Sequence, residues 1–556
     1  MNTINKINSC IILLGLAALP SGILPAQPKN IAPKPGMTIH GWVGSNNTGL
    51  PGVVVSDGFE VTTTDADGIY YLPSQKKHGY VFISIPGNYE APLVNNIPQF
   101  FKHLKAGANE AERADFILAP ADNDRHVVLV FGDTHLRKNL IDQFNICLAD
   151  MNGLIDSYRA AGAKPCVLTV GDVSMERYWR RTTEPGPCDL RDYASLLKRL
   201  KAPVFNTMGN HDNDSWEQGD MAGERAWKDI IGPSYYSFNL GRAHYVALDN
   251  IVWANNGGSH GVNGDFSYEG AFTDYQMEWL VKDLATVADK TAPLIITMHI
   301  PLYGGPDINN NASMYLKPGH AQKLVDILKG FGFSNVLVLG GHTHANVRHT
   351  PPEYPWLTMK HIAALGGTAW EAPGLFPPCF IGQDGSPSGY QVYELDGKNV
   401  KWYYKSVGHD RNYQFRACDL NRVHITAEKY APAANATFTA KTPEFAAPYH
   451  VKSDANEVLI NVWGWEASWR IEVMEDGVPL PVTQISARDP LPIITVDFNM
   501  LNLNRNWIFR AHKTTHIFKV VATSPTSTLH IKVTDRFGNI YTETMTRPKE
   551  LTLDMK

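Results

Sequence analysis

Five short blocks of aspartate, asparagine, histidine and glycine follow one another along the chain. They are Asp133-Thr-His135, Gly171-Asp172, Gly209-Asn-His-Asp212, His299 and Gly341-His-Thr-His344. Carboxylate oxygen, amide oxygen and neutral imidazole suit Mn, Zn, Fe(II) or Co, and the absence of cysteine thiolate argues against a purely structural zinc site. The blocks therefore predict a site for two adjacent divalent metal ions (Mn, Zn or Fe).

Two such ions favour the hydrolysis of a phosphoester. At roughly 3.5–4 Å apart they can stabilise both the attacking and the departing oxygen of an in-line displacement. A water between them would lose a proton near neutral pH, because metal binding lowers its pKa towards ~7. The formal charges of two ions, two aspartates and one hydroxide sum to about +1, which should attract a phosphate anion. His211 is then placed to protonate the leaving alkoxide as general acid. Asp212 is placed to orient the His211 imidazole or to favour its protonated form.

The elements that must hold these blocks follow a strand, loop, helix, strand order. Four blocks come after apolar runs rich in Val, Ile and Leu, which predict buried strands at residues 126–131, 166–170, 294–298 and 336–339. The remaining block follows Pro203-Val-Phe205, and periodic segments predict helices at residues 138–159, 189–200, 273–287 and 318–329. Ligand sites of open α/β sheets lie beyond the carboxyl ends of strands, which is where every block falls.

The ordered motifs resemble those of the calcineurin-like metallophosphoesterases, whose pattern is D-x-H, G-D, G-N-H-D/E, H and G-H-x-H. The resemblance implies one metal ion bound by Asp133, His135, Asp172 and His344, and a second bound by Asp172, Asn210, His299 and His342. Asp172 then bridges the two ions, and His211 is a catalytic histidine that binds neither. Ordinary core, surface and helix-capping residues would not produce this complete ordered set.

Regions of different composition flank the central segment. Alternating β-forming and turn residues at 38–85 predict a small all-β sandwich, with spacing similar to carboxypeptidase-regulatory-like modules. The Asp65-Ala-Asp67-Gly68 segment within it is expected to be a tight turn, because it lacks the further ligands of a calcium loop. After Tyr390, short strands predict a second β-sandwich, whose first strands could instead pack on the central domain. These strands are expected at residues 391–395, 400–404, 458–462, 469–473, 493–498, 517–521 and 529–533.

The predicted fold class is therefore multidomain: a central α/β metallophosphoesterase sandwich flanked by N-terminal and C-terminal all-β sandwich-like domains. The expected boundaries are a signal peptide at 1–26, an N-terminal β-sandwich at 37–118, the metallophosphoesterase domain at 125–375 and a C-terminal β-rich domain at 385–550. This domain order resembles exported calcineurin-like proteins of gut-type Bacteroidetes.

The first residues are typical of an export signal. Lys6 precedes an apolar core at residues 11–19, helix-breaking Pro and Gly follow it, and cleavage is expected near Ala26. The apolar core is too short to span a bilayer, and no other stretch could cross one. A periplasmic or extracellular protein is predicted. The five cysteines that follow the predicted signal peptide show no paired spacing, so no disulfide framework is expected.

The net charge of −5 gives no long-range attraction to nucleic acid or to an anionic membrane. We expect an exported hydrolase of small phosphoesters. A phosphodiesterase is slightly preferred over a phosphomonoesterase, because G-N-H-D with G-H-x-H resembles cyclic-nucleotide and glycerophosphodiester enzymes. Two alternatives remain: a surface glycan-binding or ligand-binding protein with a vestigial metal centre, and an exported nuclease.

Aromatic residues outside the metal blocks suggest further contacts. Trp463, Trp465 and Trp469 could form a carbohydrate platform or could pack in the core of a strand pair. Trp253 and the segments 178–181 and 303–311 follow or face strands that carry metal blocks, so they are candidates for substrate contact.

Overall fold

A computed structural model of the chain describes residues 30–175, 189–258, 262–367 and 380–554. The predicted signal peptide, with its Ala26 cleavage site, and the predicted substrate-contact segment 178–181 lie outside these residues. No helix within the described ranges is long and apolar enough to cross a membrane.

The central region is a sandwich of two β-sheets. The first sheet has the strand order Val204–Phe205, Lys164–Thr169, Arg125–Phe131, Gly389–Asp396 and Asn399–Ser406. The second sheet has the order Tyr236–Leu240, Ala243–Ala247, Leu294–Thr297, Val336–Gly340, Leu357–His361 and Val347–His349. A separate hairpin pairs Ile251–Trp253 with Tyr268–Gly270.

Alternation along the strand Arg125–Phe131 explains how the layers pack, because successive side chains of a strand point to opposite faces. Val128 and Val130 belong to the core that the second sheet shares, whereas Leu129 and Phe131 pack with residues of the helix Ile141–Ala160. The first sheet is therefore covered by the second sheet on one face and by a helix on the other. The predicted central α/β sandwich is confirmed.

The four predicted helices of the central region are present at nearly the predicted positions. One of them begins at Pro318, which is favourable at the first helical position, and ends at Phe331, because the left-handed φ of 74° at Gly332 stops it. The long helices are Ile141–Ala160, Leu190–Leu197, Asp274–Thr286 and Pro318–Phe331. The shorter ones are Lys138–Leu140, Asn210–Asp212, Asp220–Gly223 and Arg225–Ile230.

The N-terminal region contains two sheets, as the sequence predicts for residues 38–85. One is built on Ile39–Ser45, which pairs with Thr48–Gly49, Ile69–Leu72, Glu112–Arg113 and Phe116–Ile117. The other has the order Phe101–His103, Tyr80–Ile83, Val54–Ser56 and Val61–Thr63. Two small ladders pair Tyr89–Glu90 with Ala119–Pro120 and Leu93–Val94 with Ile97–Pro98.

The predicted tight turn in this region is present. The Asp65 carboxylate accepts the backbone N–H groups of Asp67 and Ile69, at 3.0 and 2.9 Å, and Gly68 has a left-handed φ of 77°. An aspartate that satisfies the backbone of its own turn needs no bound cation to explain it.

The C-terminal region also contains two four-stranded sheets. One sheet has the strand order Phe415–Asp419, Glu457–Val462, Thr514–Val521 and Thr483–Ala487. The other sheet has the order Val478–Leu480, Arg470–Glu475, Leu529–Thr534 and Ile540–Met545. Short helical segments connect the strands at Leu420–Arg422, Ala427–Tyr430, Ala436–Thr439, Thr442–Ala446, Pro490–Pro492, Ile493–Asp497 and Phe498–Asn502.

Two features of this region differ from the simplest prediction. The predicted strand at 493–498 is wrong, because these residues are helical. Asp489 caps the first turn by accepting the Leu491 N–H, and Pro490 is at the first helical position. The β-branched residues that suggested a strand are buried on all sides of this helical segment. The strands Gly389–Asp396 and Asn399–Ser406 extend the first sheet of the central region, which is the arrangement that the sequence left open.

Two of the three candidate platform tryptophans are core residues. Trp463 is 1% exposed and Trp469 is 7% exposed, and the Trp463 indole donates to the Tyr413 carbonyl. The described cysteines, Cys147, Cys166 and Cys418, are buried and are not in disulfide bonds.

Candidate metal centre

The five blocks converge from both sheets of the central sandwich. Asp133, Asp172 and Asn210 follow strands of the first sheet, whereas His299 and His342 follow strands of the second. These strands are parallel within each sheet, so their carboxyl ends lie at one edge. The structure thereby brings together all seven residues that the sequence proposes as metal ligands.

A first group of ligand atoms comes from Asp133, His135 and His344. The His344 Nε2 atom lies 3.3 Å from Asp133 Oδ1 and 3.1 Å from His135 Nε2. Separations of this size are typical of neighbouring ligands around one ion with bonds of about 2.1 Å. The three side chains therefore fit a divalent metal ion.

A second group comes from Asp172, His299 and His342, with Asn210 beside them. The His299 Nε2 atom is 3.1 Å from Asp172 Oδ2, 3.0 Å from Asn210 Oδ1 and 3.2 Å from His342 Nδ1. The His299 Nδ1 atom bonds to the Val170 carbonyl at 2.8 Å, which requires a proton on Nδ1 and turns Nε2 towards the group. Nitrogen and oxygen acceptors gathered in this way fit a cation.

Asp172 lies between the two groups. Its Oδ2 atom is 3.1 Å from His299 Nε2 in one group and 3.9 Å from His135 Nε2 in the other. A third set that could hold a metal ion consists of His135, Asp172 and His211, so the distances alone do not separate His211 from the ligands.

Five of these residues have left-handed backbone conformations, which side chains other than glycine rarely adopt. The φ angles are 50° for Asp133, 44° for His135, 53° for Asp172, 66° for His342 and 55° for His344. Strained conformations of this kind persist only where the surroundings enforce them, and they cluster at functional sites. The backbone of the loops after the strands therefore directs these side chains towards the two groups of ligand atoms.

Two motif positions require glycine because neighbouring loops approach each other closely there. A Cβ atom on Gly209 would lie 2.3 Å from Asp172 Oδ1, and one on Gly341 would lie 2.4 Å from Asp133 Oδ2. No heavy atom can occupy either place without displacing a carboxylate. The glycines thus let adjacent loops approach the two aspartates.

The pKa values in the metal-free protein follow from burial and from Asp172. Burial lowers the pKa of His135 well below its usual range and that of His342 to about 4, so both imidazoles are neutral at pH 7. Burial also opposes the charge on His299, but the Asp172 carboxylate outweighs it and raises the pKa of His299 to about 9. The neighbouring imidazoles hold the pKa of Asp172 well below its usual range despite its burial. Asp172 is therefore an ionised carboxylate.

His211 and Asp212 have different environments. The His211 side chain is 29% exposed, and its backbone N–H donates to Asp172 Oδ1 at 2.8 Å. Asp212 is fully buried, and its carboxylate accepts the backbone N–H groups of Ser174 at 2.8 Å and Gly209 at 2.9 Å, as well as the Ser174 hydroxyl. These contacts make Asp212 a connection between two loops of the site.

The sequence prediction missed some contributors to the site. Asn250 follows the strand Ala243–Ala247, and its Oδ1 accepts the backbone N–H groups of His299 and Ile300 at 3.2 and 3.1 Å. The position of Asn250 after an apolar strand is a signal that could have identified it. No local signal identifies Phe509 of the C-terminal region, whose ring stacks on His344 with centroids 5.6 Å apart.

Two aromatic residues that the sequence proposes for substrate contact, Trp253 and Tyr303, are buried. Trp253 is 2% exposed, so it is a core residue. Tyr303 is also buried, whereas Tyr315, further along the same connection, is 51% exposed and its ring lies 6.1 Å from that of His342.

Family models match the chain in three consecutive parts. Residues 37–121 match the N terminal of Calcineurin-like phosphoesterase, residues 126–346 match Calcineurin-like phosphoesterase, and residues 361–541 match the C terminal of Calcineurin-like phosphoesterase. A comparison with curated proteins finds no match.

Solved structures with some similarity have low sequence identity to this chain. GAP50, described as the anchor in the inner membrane complex of Plasmodium, is 13% identical over 51% of this chain and 85% of its own, with a TM-score of 0.32. PhoD is 11% identical over 64% of this chain and 79% of its own, with a TM-score of 0.34. A 5'-nucleotidase from Candida albicans SC5314 is 13% identical over 51% of this chain and 52% of its own, with a TM-score of 0.30.

Proposed function

The chain belongs to the calcineurin-like phosphoesterase family and is a hydrolase of phosphoric esters, and we propose that it is an exported two-metal enzyme that prefers phosphodiesters to phosphomonoesters. The observation that carries the two-metal proposal is the position of Asp172 between two groups of ligand atoms, each of which fits a divalent ion. The diester preference rests on the resemblance of the G-N-H-D and G-H-x-H motifs to those of diesterases. Export rests on the N-terminal sequence alone.

We assign the metal ligands as the sequence predicts. Asp133, His135, Asp172 and His344 would hold one ion, and Asp172, Asn210, His299 and His342 would hold the other. When bound, the ions supply Lewis acidity, which activates a water and neutralises charge on the phosphoryl group. Mn, Zn or Fe(II) all accept this donor set.

The remaining chemistry is assigned to the chain itself. His211 is more exposed than the ligand histidines His135, His299 and His344, and its Nε2 atom is 4.0 Å from Asp172 Oδ2. A protonated His211 at this edge can donate its proton to the departing alkoxide oxygen. Asp212 keeps the loop that carries His211 in register with the loop that carries Asp172.

The test is hydrolysis by purified full-length protein that has been stripped of metal and refilled with Mn²⁺, Zn²⁺ or Fe²⁺. Faster cleavage of bis-p-nitrophenyl phosphate than of p-nitrophenyl phosphate is expected. A preference for the monoester would replace the diesterase assignment with a phosphatase. Absence of hydrolysis with every metal would favour the alternative of a binding protein with a vestigial metal centre.

A further inference from the structure

One short segment of the C-terminal region lies beside the metal centre. Residues 507–509 (Trp, Ile, Phe) follow the helix Phe498–Asn502 and precede the strand Thr514–Val521. The Phe509 ring stacks on the His344 ring, with 5.6 Å between centroids and 20° between planes. We call residues 507–509 the apolar tip.

The apolar tip is held in place at both ends. On one side, the Arg505 N–H bonds to the Met500 carbonyl at 2.9 Å. On the other side, the Ala511 N–H bonds to the Asp497 carboxylate at 3.1 Å, and the His512 N–H bonds to the Gln383 carbonyl at 3.1 Å. The Trp507 ring packs edge-on against Phe509 at 5.7 Å. The position of Phe509 beside the metal centre is therefore built into the fold.

The apolar tip nevertheless faces solvent. Ile508 is 84% exposed, and Phe509 is only partly buried. Consecutive large apolar residues that are both anchored and exposed indicate a binding surface, because burying them inside the protein would be favourable. Their position beside His344 points to the substrate as the partner.

The chemistry around the apolar tip favours an apolar group over a second phosphate. Arg510, which follows Phe509 in the chain, is already used, because its guanidinium pairs with Glu444 at 2.6 Å and lies 3.6 Å over the Phe445 ring. On the other side of the centre, Tyr315 is half exposed beside His342. Aromatic side chains thus flank both groups of metal ligands, as in sites that bind an apolar ligand beside a few polar groups.

We propose that the C-terminal region completes the substrate site and that Phe509 selects phosphoesters whose esterified group is apolar. This inference rests on the proposed function. The ions held by the two groups of ligand atoms would bind the phosphoryl group, and the apolar tip contacts the alcohol part of the ester. Phe509 is then a specificity-determining residue.

The test compares two substrates whose leaving alcohols have similar basicity, benzyl phosphate and ethyl phosphate, or their methyl diesters if the wild type prefers diesters. Wild-type protein is expected to have a kcat/KM about tenfold higher for the benzyl ester, which is the size of effect that one aromatic contact supports. Phe509→Ala should bring the ratio of the two kcat/KM values close to one, mainly through a higher KM for the benzyl ester. Phe509→Leu, which keeps apolar contact, should retain part of the preference.

Two controls make the outcome decisive. Val478→Ala removes an apolar side chain that is 62% exposed and lies in the C-terminal sheet that does not contain Thr514–Val521. This variant should leave the ratio of the two kcat/KM values unchanged. Bound metal should be the same in the wild type and in Phe509→Ala. An unchanged ratio in Phe509→Ala, or an equal loss for both esters together with loss of metal, overturns the inference and makes Phe509 a support for His344. Absence of all phosphoester hydrolysis by the wild type overturns the proposed function, and the inference falls with it.

Discussion

The Asp172 carboxylate and His211 are joined through the backbone. Asp172 Oδ1 accepts the His211 N–H at 2.8 Å, and Asp172 Oδ2 lies 4.0 Å from Nε2 of the same histidine. One carboxylate thus faces both groups of ligand atoms and also fixes the residue that we assign as the general acid. Variants at these two positions should have different consequences.

Asp172→Ala should lose both metal ions, because the carboxylate lies between the two groups of ligand atoms. Metal analysis after dialysis against metal-free buffer should show that the affinity for both ions falls by at least ~100-fold. Full occupancy in this variant would contradict the ligand assignment.

His211→Ala should keep its metal and lose turnover by about 10²–10⁴-fold with alkyl esters. The loss should be much smaller with p-nitrophenyl esters, whose leaving group departs without a proton. Metal content and the two rates can be measured on the same preparation. If the variant loses an ion, His211 is a ligand, as the third group of ligand atoms would allow.

Asp212→Ala should reduce stability as well as activity, since it leaves the buried N–H groups of Ser174 and Gly209 without their acceptor. We expect a loss of roughly 2–5 kcal/mol in the free energy of unfolding, measured by denaturant titration of the metal-free protein. His211→Ala is the matched control and should unfold like the wild type. Equal stabilities of the two variants would favour a purely catalytic role for Asp212.

The metal-free protein should become less stable as the pH rises from about 6.5 to 9. The pKa of His299 is about 9 in the folded state, above its usual 6.5, so the stabilising His299–Asp172 pair is fully present below pH 6.5 and is lost as the pH rises through 9. Metal affinity should change in the opposite direction, because the ion must displace this proton. Thermal unfolding with and without Mn²⁺ across this range tests both signs. A metal-free His299→Ala protein should lack this contribution.

Gly209→Ala should disrupt the metal centre, because the new Cβ would lie 2.3 Å from both the Asp172 N atom and Oδ1. Loss of metal and of most activity is expected. Gly330→Ala provides the control: it lies in the helix Pro318–Phe331 with no heavy atom within 4 Å of the new Cβ, and should stabilise that helix by about 0.5–1 kcal/mol. A fully active Gly209→Ala enzyme would show that the loops can separate without harm.

The central strands that precede the metal blocks could be predicted from local signals. Each apolar run before a metal block forms a strand within a residue or two of its predicted bounds, because buried parallel strands require such runs. The segment 493–498 misled the prediction, since a fully buried helix rich in β-branched residues has the composition of a strand. The capping pair Asp489 and Pro490 was the signal that should have decided it.

The details of the site could not be predicted from the sequence. The left-handed φ angles of Asp133 and His344 depend on contacts between loops of different sheets, and the residue types alone do not predict these angles. The contact of Phe509 with His344 joins two distant parts of the chain. Such contacts are decided by tertiary packing, which spacing within a motif does not encode.

The strand Gly389–Asp396 pairs with residues 125–130 of Arg125–Phe131, the strand that leads into Asp133. During synthesis on the ribosome, every proposed metal ligand therefore emerges before the first sheet can close. Until then Arg125–Phe131 is an edge strand with unpaired backbone groups, which is the kind of surface that associates with other chains. The late strands protect the nascent enzyme from aggregation, and a chain cut after the last metal block would keep every ligand but lose that protection.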